Sequence, residues 1–441
     1  MNGSLAGIRV VEIGSEIAGP YCTKLFVDVG ADVCKIEPPA GDSLRNWGPF
    51  AQRERDAHRS GLFEYLNAGK RGATLDLADK NDSVVARRLI ADAHLLVENL
   101  GPGTLEGWGL DRSSLQRINP GLVIVRISGF GQDGPWRDRP TTSLTMQAAA
   151  GWVSSRQPDR PPVQAGARIS EFVPGAYAAL AGLTALSMAA GNGGQIIEVD
   201  VSQFECLIST LPYPMMMAER LKLLRLPTNT RAAPMLGIVR ARDGWIGINC
   251  LTGQHWLDVC AMLGLPEFGE HQLAIMQGGP QRDEFFAKAQ LWLDERTVTD
   301  IVEVSQAMRI PAAPVSDGAS ILSCPQYAER GFFVEAATEG RSFKRPGPPF
   351  RFSKTPVAPV APAPLLGEKA SLNAGSGRPD SGDAPPTDPC APFRELKILD
   401  LSTFWAGAYL SCYMGALGAD VITVESIQRP DGHRFSGAMS R

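Results

Sequence analysis

The chain has 441 residues, enough for two or three domains. Its hydrophobic content of 44% and charged content of 20% are ordinary for a globular protein, and a net charge of −4 gives no electrostatic basis for binding nucleic acid. The eight cysteines form no C-x-x-C pair and no cluster with histidine. We therefore expect no metal site, and reduced thiols in a cytoplasmic protein. The first ten residues lack the basic and apolar regions of a signal peptide.

Residues 5–37 predict a strand–turn–helix–strand unit. The elements are, in order, a strand over 8–13, a turn at 18–20, a helix over 21–29 and a strand over 33–36. Pro20 suits the first helical position, and Gly30 ends the helix. The N–H groups at the start of such a helix point toward a ligand that we expect to be anionic.

Strands and helices continue to alternate as far as residue 201. The further predicted strands cover 73–77, 94–97, 122–128 and 196–201, and the helices 82–92, 105–115, 141–151 and 175–190. This alternation predicts an α/β fold with a Rossmann-like parallel sheet whose ligands lie beyond the carboxyl ends of the strands. Residues 172–197 carry no charge, but Pro174 and several small or polar residues favour a buried core helix over a membrane span.

The second half predicts a different organisation. A helix over 203–223 precedes a turn at Asp243-Gly244-Trp245 between two short strands, and helices follow over 253–263, 281–291 and 297–307. We predict five segments: a large domain over 1–224, an inserted smaller α+β domain over 225–325, a return to the large domain over 326–370, a linker over 371–392 and a further unit over 393–441. The linker is rich in Pro, Ala, Gly and Ser.

The further unit repeats the first one. Lys397 corresponds to Arg9 and Glu425 to Glu37, a difference of 388 residues in both cases and without a gap between them. Between them, Ala406-Gly407 repeats Ala18-Gly19. Such agreement predicts a tandem duplication in which residues 393–441 are the truncated start of a second copy. We expect this single unit to pack poorly by itself.

Three motifs outside the repeat have competing interpretations. Gly129-Phe130-Gly131 begins a G-x-G-x-x-G motif, but Pro135 follows its last glycine, so the helix that a dinucleotide site needs is not expected. Glu171, just before the uncharged helix, is either an acid favoured by the helix dipole or a desolvated carboxylate aimed at a substrate. Lys70-Arg71 is either a solvated basic pair or a phosphate contact.

Taken together, these loops resemble the class III CoA-transferase family, which includes formyl-CoA and carnitine CoA-transferases. The resemblance covers residues 5–370 as one copy and rests on many short matches in the family's order. They are Ala18-Gly19-Pro20, Gly30-Ala31-Asp32-Val33, Lys35-Ile36-Glu37, Gly41-Asp42 with Arg45, Asn67 with Lys70-Arg71, Leu75-Asp76-Leu77, Glu98-Asn99 with Pro102-Gly103, Asn119-Pro120, Gly129-Phe130-Gly131 with Gly134-Pro135, Gln147-Ala148 with Gly151, Asp243-Gly244-Trp245, Pro346-Gly347, Phe352-Ser353 with Thr355-Pro356, and Leu366-Gly367.

The resemblance implies a CoA-transferase that moves CoA from an acyl-CoA to a carboxylic acid through a carboxylate-bound intermediate. It implies CoA as substrate without a permanently bound cofactor, and an interlocked homodimer or a pseudo-dimer with a second copy. Gly129, Phe130 and Gly131 would contact the substrate. The residues implied to bind CoA are Ile17, Ala18, Gly19, Pro20, Glu37, Pro38, Lys70, Arg71, Gly72, Asn99, Leu100 and Pro102.

The sequence departs from the family at the nucleophile. The family has an aspartate four residues before a glycine, where this chain has Glu171 before Gly175. The extra methylene moves the carboxylate by roughly 1 Å, and a displacement of that size can cost about a hundredfold in rate. Three interpretations stay open: an active Glu171, an impaired enzyme, or a catalytically silent CoA-binding subunit or half of a fused pair. A 2-methylacyl-CoA racemase is a further alternative, but Thr141-Thr142-Ser143 contains none of the histidine that such an enzyme uses.

Overall fold

The computed structural model describes residues 3–50, 60–153, 161–189, 194–210, 222, 236–250, 252–338, 341–355, 361–368, 391–403, 405–428 and 431. It divides into two compact units: residues 1–153, 163–212 and 326–394 form unit 1, and residues 154–162, 213–325 and 395–441 form unit 2. The predicted domain boundaries stay predictions. Most of the predicted linker and the second half of the helix predicted over 203–223 lie outside the described residues.

The first 210 residues confirm the predicted α/β fold. The strands are β1 (Arg9–Ile13), β2 (Asp32–Glu37), β3 (Arg71–Thr74), β4 (Leu95–Glu98), β5 (Val123–Ser128) and β6 (Ile197–Ser202). The helices are α1 (Ala18–Val27), α2 (Gly61–Asn67), α3 (Lys80–Ala91), α4 (Thr104–Gly107), α5 (Arg112–Ile118), α6 (Ser143–Ala149), α7 (Ile169–Ala189) and α8 (Gln203–Thr210). The six strands form one parallel sheet in the order β3-β2-β1-β4-β5-β6.

Apolar cores cover both faces of this sheet, as the near-continuous apolar strands predict. One face packs against α1 and α7, and the other against α3 and α5. Gly175 allows α7 to approach α1 closely, because a Cβ there would lie 2.7 Å from the carbonyl oxygen of Ala18. By length and composition, α7 is the one described helix that would suffice to cross a membrane. Its small residues Ala178 and Ala185 are buried in the core.

The remaining elements follow in chain order. They are β7 (Leu236–Arg240), β8 (Trp245–Asn249), α9 (Gly253–Met262), α10 (Gln272–Gln277), α11 (Pro280–Asp294), α12 (Val298–Ala307), β9 (Ala312–Pro314), α13 (Pro325–Glu329), β10 (Phe333–Thr338), β11 (Arg341–Pro346), β12 (Lys397–Asp400), α14 (Trp405–Ala416) and β13 (Asp420–Thr423). Strands β7, β8 and β9 form an antiparallel sheet over a separate apolar core, which confirms the predicted turn at 243–245. Strands β12 and β13 pair in parallel.

The boundaries differ from the predictions, most clearly at the following elements. Helix α7 begins at Ile169, not at 175, so Glu171 lies in its first turn. Helix α1 begins at Ala18, so Pro20 is its third residue. The helix predicted over 105–115 is two helices, because Gly109 has a left-handed φ of 67°. Helix α2 was not predicted, because it follows a polar stretch. The hairpin of β10 and β11 was not predicted either, because it precedes a Pro-rich stretch.

Candidate active site

A buried ionic cluster lies beneath the turn between β1 and α1. Glu12 of β1 is inaccessible to solvent. Its Oε1 accepts a hydrogen bond from Lys35 Nζ at 2.7 Å, and its Oε2 accepts from Lys70 Nζ at 2.8 Å. Burial alone would raise the pKa of Glu12, but the two ammonium groups outweigh it and lower that pKa to about 2. Glu12 is therefore a charged group inside the fold at neutral pH.

The two lysines tie this cluster to the turn. Lys35 Nζ also donates to Gly14 O at 2.9 Å and pairs with Asp42 Oδ2 at 2.9 Å. Lys70 Nζ also donates to Pro20 O and to Asn67 Oδ1, each at 2.9 Å. Burial lowers the pKa of Lys70 to about 8, against the opposing effect of Glu12. All three N–H groups of Lys70 are used inside the fold, and its contact with a CoA phosphate stays a prediction.

Asn99 closes the turn from the other side. Its Oδ1 accepts from Ser15 N at 3.0 Å and its Nδ2 donates to Ser15 O at 2.8 Å. A Cβ at Gly14 or Gly19 would lie 2.2 or 2.5 Å from the same Oδ1, so both positions must be glycine while Asn99 sits there. The four predicted CoA contacts of the turn, residues 17–20, are all buried.

The other predicted CoA contacts do not converge. Glu37 is buried and paired with Arg45 Nη2 at 2.7 Å. Arg71 pairs with Asp32 at the amino ends of β3 and β2, opposite the edge where the turn lies, which argues against the predicted contact. Gly72 packs against the segment 361–368, since a Cβ at Gly72 would lie 2.7 Å from the Pro364 Cβ. The remaining three follow the carboxyl ends of β2 and β4 and are at least partly exposed: Pro38, Leu100 and Pro102.

The predicted substrate loop follows β5. Phe130 packs edge-on against Trp136, with ring centroids 5.4 Å apart. A Cβ at Gly129 would lie 2.5 Å from Thr141 Cγ2, and Gly131 has a left-handed φ of 93° beside Asp200. The next helix after this loop is α6, which starts at Ser143. The helix that a dinucleotide site requires at the third glycine is absent from this described stretch, as the sequence predicts.

Glu171 lies in the first turn of α7 and is 7% exposed. Its Oε1 accepts from Arg168 Nε at 2.7 Å and from Arg168 Nη2 at 2.6 Å. Among the described residues, no hydrogen bond reaches its Oε2. Burial raises the pKa of Glu171 above the usual range for a glutamate, and the Arg168 guanidinium partly offsets that rise. The carboxylate is thus held through Oε1, and Oε2 has the freedom that a nucleophile needs.

Arg168 connects Glu171 to two residues that the sequence did not single out, Glu16 and Trp47. Arg168 Nη2 also contacts Glu16 Oε2 at 3.1 Å, and its guanidinium carbon lies 4.1 Å from the centroid of the Trp47 ring. Each of these residues lies in a stretch with no pattern of its own, since the contacts join positions far apart in the chain. A residue-by-residue reading of the sequence contains no signal for them.

The backbone of this site is strained. Glu16, Ala167 and Arg168 have left-handed φ values of 63°, 58° and 53°. They are three of the four residues other than glycine with positive φ in the described part of the chain. Such conformations cost about 1–3 kcal/mol each and are typical of functional sites. The strain supports an active site at Glu171 and Arg168.

Helix α6 holds the strained segment in place. Gln147 Nε2 donates to Ala165 O at 3.1 Å, and Ala165 N donates to Gln147 Oε1 at 2.8 Å. Ser170 Oγ contacts Ser143 Oγ at 2.8 Å. On the other side, Glu16 N donates to Asp42 Oδ1 at 3.0 Å, which links the site to the ionic cluster. Among the described residues, no group of three His, Cys, Asp or Glu side chains could hold a metal ion.

Comparisons with known proteins give this site a context. The model of the family CoA-transferase family III matches residues 5–370 and 393–441. The chain is 31% identical over 340 residues to the succinyl-CoA–D-citramalate CoA-transferase of Chloroflexus aurantiacus. The matched region covers 74% of this chain and 82% of the relative. It is 30% identical over 380 residues to the succinyl-CoA–L-malate CoA-transferase beta subunit of the same organism, over 82% of this chain and 91% of the relative.

A solved structure agrees. A CaiB/BaiF family protein from Brucella suis superposes with a TM-score of 0.71 at 28% identity, over 83% of this chain and 97% of the other.

Proposed function

The chain belongs to CoA-transferase family III and moves CoA from an acyl-CoA to a carboxylic acid, and we propose that Glu171 is the nucleophile of this reaction. One observation carries the proposal: Glu171 is a buried carboxylate in a strained site, held through one oxygen by Arg168. Such a group is positioned and desolvated, and it keeps an oxygen for attack.

The proposed reaction has two mirrored halves. Glu171 Oε2 attacks the carbonyl carbon of the acyl-CoA, the C–S bond breaks, and a mixed anhydride forms while CoA leaves as a thiolate. The thiolate attacks the Glu171 carbonyl of the anhydride, which releases the first acid and leaves Glu171 joined to CoA as a thioester. The carboxylate of the acceptor acid then reverses these steps, so that acyl-CoA is released and Glu171 is regenerated. No oxidant or reductant is needed, and the thioester is conserved.

The surroundings of Glu171 suit both halves. Desolvation makes its carboxylate more reactive than one in water, and Arg168 compensates negative charge that moves between Glu171 and the acyl oxygen. Because burial raises the pKa of Glu171, we expect the acid limb of the kcat/KM profile to lie above the usual pKa range of a glutamate.

For CoA itself we propose the carboxyl edge of the sheet. Pro38 and the segment from Asn99 to Pro102 follow neighbouring regions of that edge and are partly accessible, whereas Glu37 and Lys70 hold the turn from within. We also propose a cytoplasmic enzyme, an interlocked homodimer or pseudo-dimer, and a tandem duplication of the first βαβ unit. Size measurement in solution, by light scattering, addresses the oligomeric state.

Succinyl-CoA is the donor that we propose to test first. Both relatives described above are named for succinyl-CoA as donor and for a dicarboxylic acid as acceptor. A dicarboxylic acceptor also suits a site that contains an arginine beside the nucleophile.

Three variants test the nucleophile in a CoA-transfer assay with succinyl-CoA. Glu171→Gln should lower kcat by on the order of a thousandfold or more, because an amide cannot form the anhydride. Glu171→Asp should lower kcat by about tenfold to a hundredfold, since its shorter side chain moves away from Arg168. Glu198→Gln is the matched control. Glu198 is a carboxylate on β6 that pairs with Arg112 and Arg126, and its substitution should change kcat less than twofold. An unchanged kcat in Glu171→Gln would contradict the proposal.

A silent CoA-binding subunit is the second candidate. It is favoured by the relative whose name describes a beta subunit, since such a protein works with another chain. Under this alternative, wild-type protein binds CoA in a titration but transfers none of it, and Glu171→Gln binds CoA equally well.

A further inference from the structure

The geometry points to Arg168 as a binding residue for a second carboxylate on the acyl group, which it takes in the position that Glu16 holds in this structure. This inference rests on the proposed function and deepens it. It assigns to one residue the choice of dicarboxylic acyl groups over acyl groups with an apolar end.

Arg168 lies between two carboxylates of different character. Its Nη2 contacts Glu171 Oε1 at 2.6 Å and Glu16 Oε2 at 3.1 Å. The side chain of Glu171 is 9% exposed, whereas that of Glu16 is 42% exposed. A half-exposed ion pair contributes little net stability, because water competes for both charges. Glu16 can therefore leave Arg168 at low cost, while Glu171 stays.

Arg168 is fixed in space without Glu16. Its guanidinium stacks on Trp47, and its left-handed backbone is held next to Ala165, which Gln147 anchors through two hydrogen bonds. When Glu16 leaves, the donor N–H groups of Arg168 keep their direction. The site is thus organised in advance for another carboxylate of the same charge.

The spacing fits a four-carbon diacid. Glu16 Oε2 and Glu171 Oε1 contact the same nitrogen, so they lie no further apart than those two contact distances together. In the mixed anhydride, one oxygen of Glu171 is bonded to the first acyl carbon. That oxygen is Oε2, which lies about 2 Å from Oε1, and the far carboxylate of a succinyl group lies roughly 4–6 Å from Oε2, from ordinary bond lengths. The far carboxylate thus comes within reach of the Arg168 Nη2 that contacts Oε1. The far carboxylate can therefore take the position of Glu16 while the near carbon stays bonded to Glu171.

Charge also favours the exchange. Arg168 faces the carboxylates of both Glu16 and Glu171 in this structure. In the mixed anhydride Glu171 no longer carries a charge, so the guanidinium needs one carboxylate to balance it, and the substrate supplies that carboxylate when Glu16 leaves. An acyl group with a terminal methyl would instead leave Glu16 in place or strand Arg168 without its second partner. The site therefore discriminates by what it leaves unpaired, and no apolar pocket is required.

The test compares succinyl-CoA with butyryl-CoA, which has the same number of acyl carbons and a methyl in place of the far carboxylate. Intact mass spectrometry of the full chain measures the second-order rate of CoA adduct formation with each donor and without an acceptor acid. The variants are Arg168→Gln, Arg168→Lys and Glu16→Gln. Arg296→Gln is the control, because Arg296 stacks on Trp292 at the same 4.1 Å in unit 2.

We expect the wild type to favour succinyl-CoA by at least about tenfold, the effect of a charge-assisted hydrogen bond. Arg168→Gln should bring the ratio of the two rates near one, Arg168→Lys should restore part of it, and Arg296→Gln should leave it unchanged. Glu16→Gln should raise the succinyl rate about two- to fivefold without changing the butyryl rate, because the competing charge is removed.

Two results would overturn the inference. One is an Arg168→Gln variant that slows both donors equally, which would make Arg168 a positioning residue for Glu171 only. The other is a Glu16→Gln variant that fails to raise the succinyl rate, and this arm decides the question if Arg168→Gln does not fold. A wild type that forms adducts at equal rates refutes this inference alone, whereas a wild type that forms no adduct with either donor refutes the proposed function.

Discussion

The chain contains two βαβ units, the first over residues 9–37 and the second over residues 397–423. They have the same local structure, but the first is buried in a larger sheet and the second is largely exposed. In the first, Arg9 of β1 pairs with Asp32 of β2; in the second, Lys397 of β12 pairs with Asp420 of β13. The difference in number is 388 for both members of each pair, so the registers are identical. However, β1 also pairs with β4 inside a six-stranded sheet, whereas β12 and β13 form a two-stranded sheet in the described chain.

The hydrogen bonding beneath each turn shows what the second unit retains. Thr23 Oγ1 donates to Glu12 in the first unit, and Ser411 Oγ donates to Asp400 at the corresponding positions. In the second unit, Thr423 occupies the position that corresponds to Lys35, so no ammonium group from that strand reaches Asp400. Ser402, at the position of Gly14, hydrogen-bonds to Asp400 instead. The carboxylate–hydroxyl bond is present in both units. Of the two ion pairs of Glu12, the one with Lys35 lies within the unit and is lost with the lysine, whereas the one with Lys70 needs a partner from farther along the chain.

Burial differs most. Val11 and Cys34 are 3% and 2% exposed, and their counterparts Leu399 and Ile422 are 63% and 58% exposed. Apolar periodicity thus suffices to form strand, helix and strand, but burying them requires β4, α7 and the rest of the sheet. The comparison teaches that the burial of this unit, and the Lys70 ion pair of its charged cluster, come from elements that lie outside it.

The largest expected effect is at the buried cluster. Glu12→Gln leaves Lys35 and Lys70 with a buried excess of positive charge, so we expect a loss of about 3–5 kcal/mol in the free energy of unfolding, measured in urea. Asp400→Asn should leave the urea midpoint unchanged. Equal effects of the two substitutions would break the comparison, because they would show that the ion pairs with Lys35 and Lys70 contribute nothing.

Apolar truncation should separate the units next. Ile13 is 3% exposed and its counterpart Leu401 is 69% exposed. Ile13→Ala should therefore destabilise the protein by about 2–5 kcal/mol, and Leu401→Ala should change the urea midpoint little. A large effect of Leu401→Ala would mean that the second unit is buried in solution.

Acid should weaken the first unit through Glu12. Its pKa is lowered from 4.5 to about 2 in the folded protein. The stability it contributes is thus present above its unfolded pKa and is lost as the pH falls toward 2, since the unfolded chain then binds the proton more readily. Urea midpoints between pH 5 and pH 3 should fall in the wild type and fall less in Glu12→Gln. Parallel slopes would contradict this assignment.

The smallest expected effect is at the shared hydroxyl. Thr23→Val removes one of three donors to Glu12 and should cost about 1 kcal/mol. Hydrogen exchange measured on peptides from both units should show faster exchange near Thr23 in this variant, and near Ser411 in Ser411→Ala. Absence of a local change in either variant would mean that its hydrogen bond is not maintained in solution.

The sequence predicted the parallel sheet and the repeat because both depend on local periodicity. It also pointed to Glu171 as a candidate nucleophile, since the resemblance to the family rests here on a local motif, an acid four residues before Gly175; this role stays a prediction. It could not predict Arg168 between Glu171 and Glu16, because that contact joins residues 152 positions apart. The role of Lys70 inside the fold could not be predicted for the same reason, since only the fold reveals that Lys70 donates a hydrogen bond to Glu12, 58 positions away.

The most direct test of the central claim is peptide mass spectrometry of wild-type protein after incubation with succinyl-CoA. Borohydride reduces a glutamyl thioester to an alcohol, and hydroxylamine converts it to a hydroxamate, so each trap leaves a distinct mass on the modified residue. We expect both marks on Glu171, and neither in Glu171→Gln. An unmodified Glu171 in a protein that transfers CoA, or a mark on another residue, would contradict the account.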